Sequence, residues 1–226
     1  MPIVLSTINA RYAHAALGLR YLAANLGELR SEARIVEFVL GARPADIVET
    51  ILAQTPRIVG FGVYIWNVEE TTKVMAMLKR VAPDVVVVIG GPEVSYEVEE
   101  QRICALADYV ITGWGDITFA KLCRDVLAGK PPSQRMLAGE RPDLDVVALP
   151  YALYTEEDIA KRFLYVEASR GCPFKCEFCL SALDKTAWPF DLDHFLAELA
   201  RLHDRGARNF KFVDRTFNLK VSASVK

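Results

Sequence analysis

Apolar positions along the first 128 residues switch repeatedly between two periods. Short runs of consecutive apolar residues, read as strands, lie at Pro2-Ile3-Val4-Leu5, Ala33 to Leu40, Arg57 to Val63, Val85 to Ile89 and Tyr109-Val110-Ile111. Between them apolar residues recur every three to four positions, the period of a helix with one buried face. These helical stretches carry Leu19, Leu22, Leu26 and Leu29; Ala45 to Gln54; Val74, Met77, Leu78 and Val81 with Pro83 as a stop; a weaker Glu97 to Leu106; and Phe119, Leu122 and Val126. The unbroken run Val85 to Ile89 is the pattern of a strand buried on both faces.

Five strands alternating with five helices imply an α/β fold with a parallel sheet covered on both sides. At this length the expected form is a flavodoxin-like, Rossmann-type sheet in the order 2-1-3-4-5 over residues 1–128. Ligands of such sheets sit beyond the carboxyl ends of the strands. The loops to watch are therefore Ser6–Arg11, Tyr64–Asn67, Gly90–Glu93 and Gly113–Asp116. Paired glycines there let a large ligand approach the backbone, and Trp66 offers it a flat apolar surface. Gly60-x-Gly62 lacks the third glycine of a dinucleotide fingerprint, and no phosphate-binding Walker loop is present.

Residues 129–162 lose the periodicity and hold four of the eleven prolines, Pro131, Pro132, Pro142 and Pro150, and read as a linker. The pattern resumes in residues 163–226. Phe163-Leu164-Tyr165-Val166 is strand-like, and Asp191 or Asp193 can cap a helix with Phe195, Leu196, Leu199 and Leu202 on its apolar face and Gly206 at its end. Asn209 to Val213 is a further strand, followed by Asp214.

The chain has 226 residues, 27 basic and 29 acidic, with no basic run to favour a nucleic-acid partner. No stretch approaches the roughly 20 apolar residues of a membrane span, and Ile3 to Leu5 is too short and lacks the basic leader of a signal peptide. The expectation is a cytoplasmic protein without a membrane partner. Three of the five cysteines crowd into eight residues, whereas Cys104 and Cys123 stand alone in helical segments. Disulfide frameworks spread their cysteines, so the grouping points to a metal site in a reducing compartment.

The crowded segment is Arg170-Gly171-Cys172-Pro173-Phe174-Lys175-Cys176-Glu177-Phe178-Cys179, spaced C-x3-C-x2-C. Thiolates ligate iron–sulfur clusters, and a four-iron cube with three of them keeps one iron open for chemistry. The other readings are a zinc site, which wants four ligands and would have to recruit His194 or His203, and an electron-carrying cluster, which wants a fourth cysteine.

C-x3-C-x2-C with an aromatic before the last cysteine, led in by a strand and followed by a helix, resembles the radical S-adenosylmethionine superfamily. The resemblance implies a [4Fe–4S] cluster on Cys172, Cys176 and Cys179, with S-adenosylmethionine (SAM) on the fourth iron and cleaved reductively to a 5′-deoxyadenosyl radical. It places Phe178 near the adenine and Asp214, at the end of the second strand of this region, near the SAM amino group. A flavodoxin-like domain in front, with Ile89-Gly90-Gly91-Pro92-Glu93, Thr112-Gly113-Trp114-Gly115-Asp116 and Asn9-Ala10-Arg11-Tyr12-Ala13-His14, resembles the cobalamin-binding members of that superfamily. On that resemblance Asn9, Trp66, Asn67, Gly90, Gly91, Glu93, Gly113, Gly115 and Asp116 hold cobalamin. The cobalt-ligating Asp-x-His-x-x-Gly motif is absent, since Tyr12 lies two before His14 and Leu17 three after it. Cobalamin without a protein histidine on cobalt is therefore expected. The implied reaction is methyl transfer, with rearrangement or cyclisation as other chemistries of the group. The implied partners are a small-molecule or unknown substrate and an electron donor such as flavodoxin or ferredoxin. The alternative is a cluster-binding or docking module without radical catalysis or cobalamin. The superfamily's partial (β/α)6 barrel needs about six strand–helix units, and residues 163–226 hold about two strands. The expectation is the first part of such a barrel, truncated.

Overall fold

A computed structural model describes residues 1–179 and 186–217 of the protein. The chain divides after Pro142 into two compact units. The first is built from strands β1 (Ile3–Asn9), β2 (Ala33–Val39), β3 (Ile58–Gly62), β4 (Val86–Gly90), β5 (Tyr109–Gly113) and β6 (Met136–Gly139). Its helices are α1 (Leu17–Ala24), α2 (Pro44–Leu52), α3 (Val68–Val81), α4 (Arg102–Leu106) and α5 (Asp116–Leu127). The strands form one sheet in the order β2-β1-β3-β4-β5-β6, and every adjacent pair is parallel.

The expected five-stranded order is therefore present and extended by one edge strand. Short apolar strands make this sheet because helices cover both of its faces. Val4, Ile8, Val59, Phe61, Val87 and Ile89 pack with Ile47 and Ile51 of α2 and Val74 and Leu78 of α3 in one buried cluster. On the other face α1 contacts α5, and Gly60 leaves room for the Phe119 ring of α5. A cluster of this kind, at roughly 1.5–3 kcal/mol per buried large apolar side chain, is the main term holding the unit together. Helix α3 stops where Pro83 predicts, and Pro44 opens α2 at its first turn, where a missing N–H costs nothing. The weak helical signal at Glu97 to Leu106 resolves into one short 3-10 turn and the five-residue α4.

Strand β6 lies inside the proline-rich stretch. Its four residues carry no period of their own; parallel pairing with β5 defines them, and the residues just before them are held by hydrogen bonds to distant groups. Val110 donates to the carbonyl of Arg135, the Tyr109 hydroxyl to the carbonyl of Pro132, and the Arg135 guanidinium to the carbonyls of Cys104, Ala105 and Ala107.

The second unit contains helix α6 (Glu156–Lys161), strands β7 (Leu164–Val166), β8 (Ser169–Gly171) and β9 (Ala187–Pro189), helix α7 (Leu192–Asp204) and strand β10 (Phe210–Phe212). β7 and β10 pair in parallel, and β8 and β9 form an antiparallel ribbon. Asp191 caps α7 by accepting from the backbone of His194 at 2.7 Å, and Thr155 and Asp158 form a reciprocal capping box on α6. Strand β7 is propped by two fully buried tyrosines from the stretch read as linker. The Tyr154 hydroxyl donates to the carbonyl of Tyr165 at 2.6 Å; the Tyr151 hydroxyl donates to the carbonyl of Glu167 and accepts from its N–H.

Gly91 follows β4 at φ +121°, and a Cβ there would run into the backbone carbonyl of Val63. Gly91→Ala is expected to cost roughly 1–3 kcal/mol of unfolding free energy, read as a lowered urea midpoint at unchanged slope. An unaltered midpoint would show that the β3 and β4 ends do not depend on this close approach.

Candidate functional site

The carboxyl ends of β1, β3, β4 and β5 lie along one edge of the first unit, the edge beyond which ligands of parallel sheets bind. The order 2-1-3-4-5-6 puts the reversal of strand order between β1 and β3, where a crevice opens in sheets of this kind. Backbone groups left over at the strand ends need partners there. Asn67, with no exposed surface, supplies several: its side-chain N–H groups lie against Thr7 Oγ1, the carbonyl of Ile8 and the carbonyl of Gly62 at 3.1–3.2 Å, and its Oδ1 accepts from the N–H of Tyr64 at 2.8 Å. The amide is thus spent inside the loop after β3. What it holds out is Ile65, 77% exposed, and Trp66, 47% exposed, whose ring stacks on Tyr64 at 4.5 Å and 6°.

At the end of β1, the buried Asn9 donates to Glu37 Oε1 at 3.0 Å. The same carboxylate accepts from the N–H of Ala16 at 2.6 Å and pairs with Arg20 at 3.0 Å, both side chains being buried. Glu37 on β2 and Arg20 on α1 thereby fix the β1–α1 loop. Burial, and then the charge of Glu37, raises the pKa of the Tyr64 hydroxyl. Sequence reading passed over Glu37 and Arg20, although a carboxylate within the otherwise apolar run Ile35 to Val39 was the available signal.

Gly90 and Gly91 end β4, and Gly113, exposed at φ +71°, ends β5. Ser95 links the two ends by donating to the carbonyl of Gly91 at 2.8 Å and accepting from the N–H of Gly113 at 3.1 Å. Gly115 is half-buried, and Asp116, at the first turn of α5, is buried. Glu93 lies to one side, lining a groove of about 1040 Å³ between α3 and the segment up to Ile103. Of the residues expected to hold cobalamin, Trp66, Gly90, Gly91, Gly113 and Gly115 thus surround the ends of β3 to β5. Asn9 and Asn67 are turned into the fold as braces. The glycine-closed ends and the apolar pair Ile65 and Trp66 fit a large flat ligand.

In the second unit, β8 leads through Gly171, at φ +83°, into the cysteine loop. Cys172 is buried, Cys176 exposed and Cys179 half-buried, and the N–H of Cys179 donates to the carbonyl of Cys176 at 3.0 Å in a tight turn. Phe178 stands out of this turn, 96% exposed. Asp214 Oδ2 accepts from the N–H of Ala168 at 3.0 Å, and Oδ1 from the hydroxyl of Ser169 at 2.7 Å. Among the described residues no three His, Cys, Asp or Glu side chains gather around a point where one metal ion would sit. A four-iron cube takes its thiolates at separate corners, so its ligands need not converge in this way. Three thiols on one short loop, one exposed and one half-buried, are a donor set that fits such a cube.

The B12 binding domain family model matches residues 3–123, more than half of the chain, and the chain belongs to that family. It is 28% identical to the uncharacterized methyltransferase PH0819 of Pyrococcus horikoshii, over 92% of this chain and 50% of that protein. It is 27% identical to the cobalamin-dependent radical SAM methyltransferase TokK of Streptomyces tokunonensis, over 55% of this chain and 22% of that one. The chain thus spans about half the length of the first of these relatives and less than a quarter of the second. The fold is similar to that of the radical S-adenosylmethionine methyltransferase TsrM from Kitasatospora setae, with a TM-score of 0.66 at 17% identity, covering 99% of this chain and 49% of that one. Among the described residues no helix is long and apolar enough to cross a membrane.

Burial raises the pKa of the Cys104 thiol and pushes that of Cys123 up to about 12. At pH 8 about one Cys123 in ten thousand is a thiolate, the reactive form. In the metal-free protein a thiol reagent is expected to modify Cys176 and Cys179 rapidly, and Cys104 and Cys123 only on unfolding, as counted by mass spectrometry. Rapid labelling of Cys123 in the folded protein would contradict the packing of α5.

Proposed function

We propose that this chain is the cofactor-binding part of a radical SAM enzyme that uses cobalamin, and that the reaction is methyl transfer. The carrying observation is that a B12 binding domain and a C-x3-C-x2-C loop lie in one chain, and that the likeness to PH0819, named a methyltransferase, extends over 92% of it. The names of TokK and TsrM favour the same chemistry.

In this reading residues 1–128, within the first unit, receive cobalamin at the ends of β3 to β5, and residues 129–162, which include β6 and the tyrosines that prop β7, link them to the cysteine segment. Ile65 and Trp66 form the apolar bed, and Gly90, Gly91, Gly113 and Gly115 admit the ligand close to the backbone. Asn67 and Asn9 act one layer below as positioning residues, with Asp116 buried at the start of α5 and Glu93 beside the groove next to α3. In residues 163–226, Cys172, Cys176 and Cys179 hold a [4Fe–4S] cluster, and Phe178 is free to lie against the adenine of SAM. When bound, the cluster supplies the electron that cleaves SAM, and the cobalamin supplies the methyl group. Asp214, with both oxygens engaged on the turn after β7, acts on the cysteine loop through that turn. A flavodoxin- or ferredoxin-like electron donor and a small-molecule substrate complete the proposal.

Anaerobic reconstitution followed by electron paramagnetic resonance tests the second half of this reading. About four irons per chain are expected, with a reduced signal that changes on adding SAM, and near-complete loss of iron in Cys172→Ala. A reduced cluster whose signal ignores SAM would point instead to an electron carrier or docking module. For the first half, Trp66→Ala is expected to weaken cobalamin binding about tenfold or more, as read by absorbance titration. Equal affinity of mutant and parent would remove Trp66 from the site.

A further inference from the structure

Beyond β10 the chain runs alongside the segment that follows β7, and the two stay tied by side chains after the strands have ended. The N–H of Val213 donates to the carbonyl of Val166 at 3.0 Å, closing the strand ladder. Asp214 then takes the N–H of Ala168 and the hydroxyl of Ser169 on its two oxygens. Two residues later, Thr216 Oγ1 lies 3.3 Å from Cys172 Sγ. Ladder, carboxylate and hydroxyl form one continuous seam from the sheet to the first cysteine of the loop. Cys172, at the end of that seam, is buried, whereas Cys176 is exposed.

We propose that Thr216 is a positioning residue that sets the reduction potential of the cluster by hydrogen-bonding the sulfur of Cys172; this rests on the cluster reading above. In the free thiol either atom of the pair can donate. A sulfur that ligates iron has no proton, so only the Thr216 hydroxyl can then be the donor. A donor on a cluster sulfur withdraws electron density and favours the reduced form, which raises the potential of the one-electron couple. Asp214 holds the backbone of the Thr216 segment in register for that contact. This accounts for a carboxylate that faces the 168–169 turn with both oxygens.

The test is a mediator-poised redox titration of the reconstituted 226-residue chain, followed by electron paramagnetic resonance without SAM, with iron content measured in parallel. Thr216→Val keeps the shape of the side chain and removes the hydroxyl. Held at the parent's midpoint, it is expected to show a roughly threefold lower reduced-to-oxidised ratio at unchanged iron content. Thr216→Ser, which restores a donor, is expected to return to the parent ratio. Thr216→Ala gives the same readout as valine should the branched side chain pack poorly. An unchanged ratio in the valine or alanine protein at full iron content overturns the proposal, as does a serine protein shifted like valine. If the parent chain takes up no iron, the cluster reading itself falls and takes this inference with it, an outcome distinct from a cluster whose potential ignores Thr216.

Discussion

At the carboxyl edge of a parallel sheet every strand stops, and the backbone groups it no longer pairs must find partners without closing the loops to a ligand. In this protein one buried amide, that of Asn67, meets much of that demand at the centre of the sheet. It binds the ends of β1 and β3 to the loop between β3 and α3, and because its own surface is entirely buried the loop can expose Ile65 and Trp66 instead. Exposed apolar residues on a soluble surface cost free energy unless something covers them. Here the hydrogen bonds of Asn67 hold the loop that carries them. Glu37 plays the corresponding part at β1 and β2, accepting from Asn9 and Ala16 and pairing with Arg20. A buried ion pair is weak evidence for stability, because desolvation offsets much of its attraction. Its visible contribution is to give the β1–α1 loop a single conformation.

The second unit meets the same constraint with different residues. Tyr151 and Tyr154 bury their rings and spend their hydroxyls on the backbone of β7 and its continuation, and Asp214 spends its carboxylate on the turn beyond. The cysteine loop therefore leaves a well-braced strand, although the loop itself is open, with Cys176 and Phe178 exposed. The base of this open loop is fixed by four contacts along 166–172.

These braces also separate two kinds of residue within the expected site. Gly90, Gly91, Gly113 and Trp66 stand at the open strand ends of the first unit. Asn9 and Asn67 stand one layer behind them as braces, and in the second unit Asp214 braces the turn after β7. Residues of both kinds look alike in a motif, since a polar residue at a strand end suits either role.

The amino-acid sequence by itself determined the parallel α/β sheet and its first five strands, because runs such as Val85 to Ile89 and periods such as Val74, Met77, Leu78 and Val81 are local consequences of burial on two faces or on one. It also determined the thiol donor set, since three cysteines within eight residues share a loop whatever the tertiary fold. The sixth strand was not legible. Met136 to Gly139 is too short to show a period, its pairing is with Val110 to Gly113, and the preceding Arg135 is held by the carbonyls of Cys104, Ala105 and Ala107, about 30 residues away. Nor was the division of labour among Asn9, Asn67 and Asp214. Whether a polar side chain faces a ligand or the interior depends on which distant backbone groups lack partners, and those appear only when the strands lie side by side.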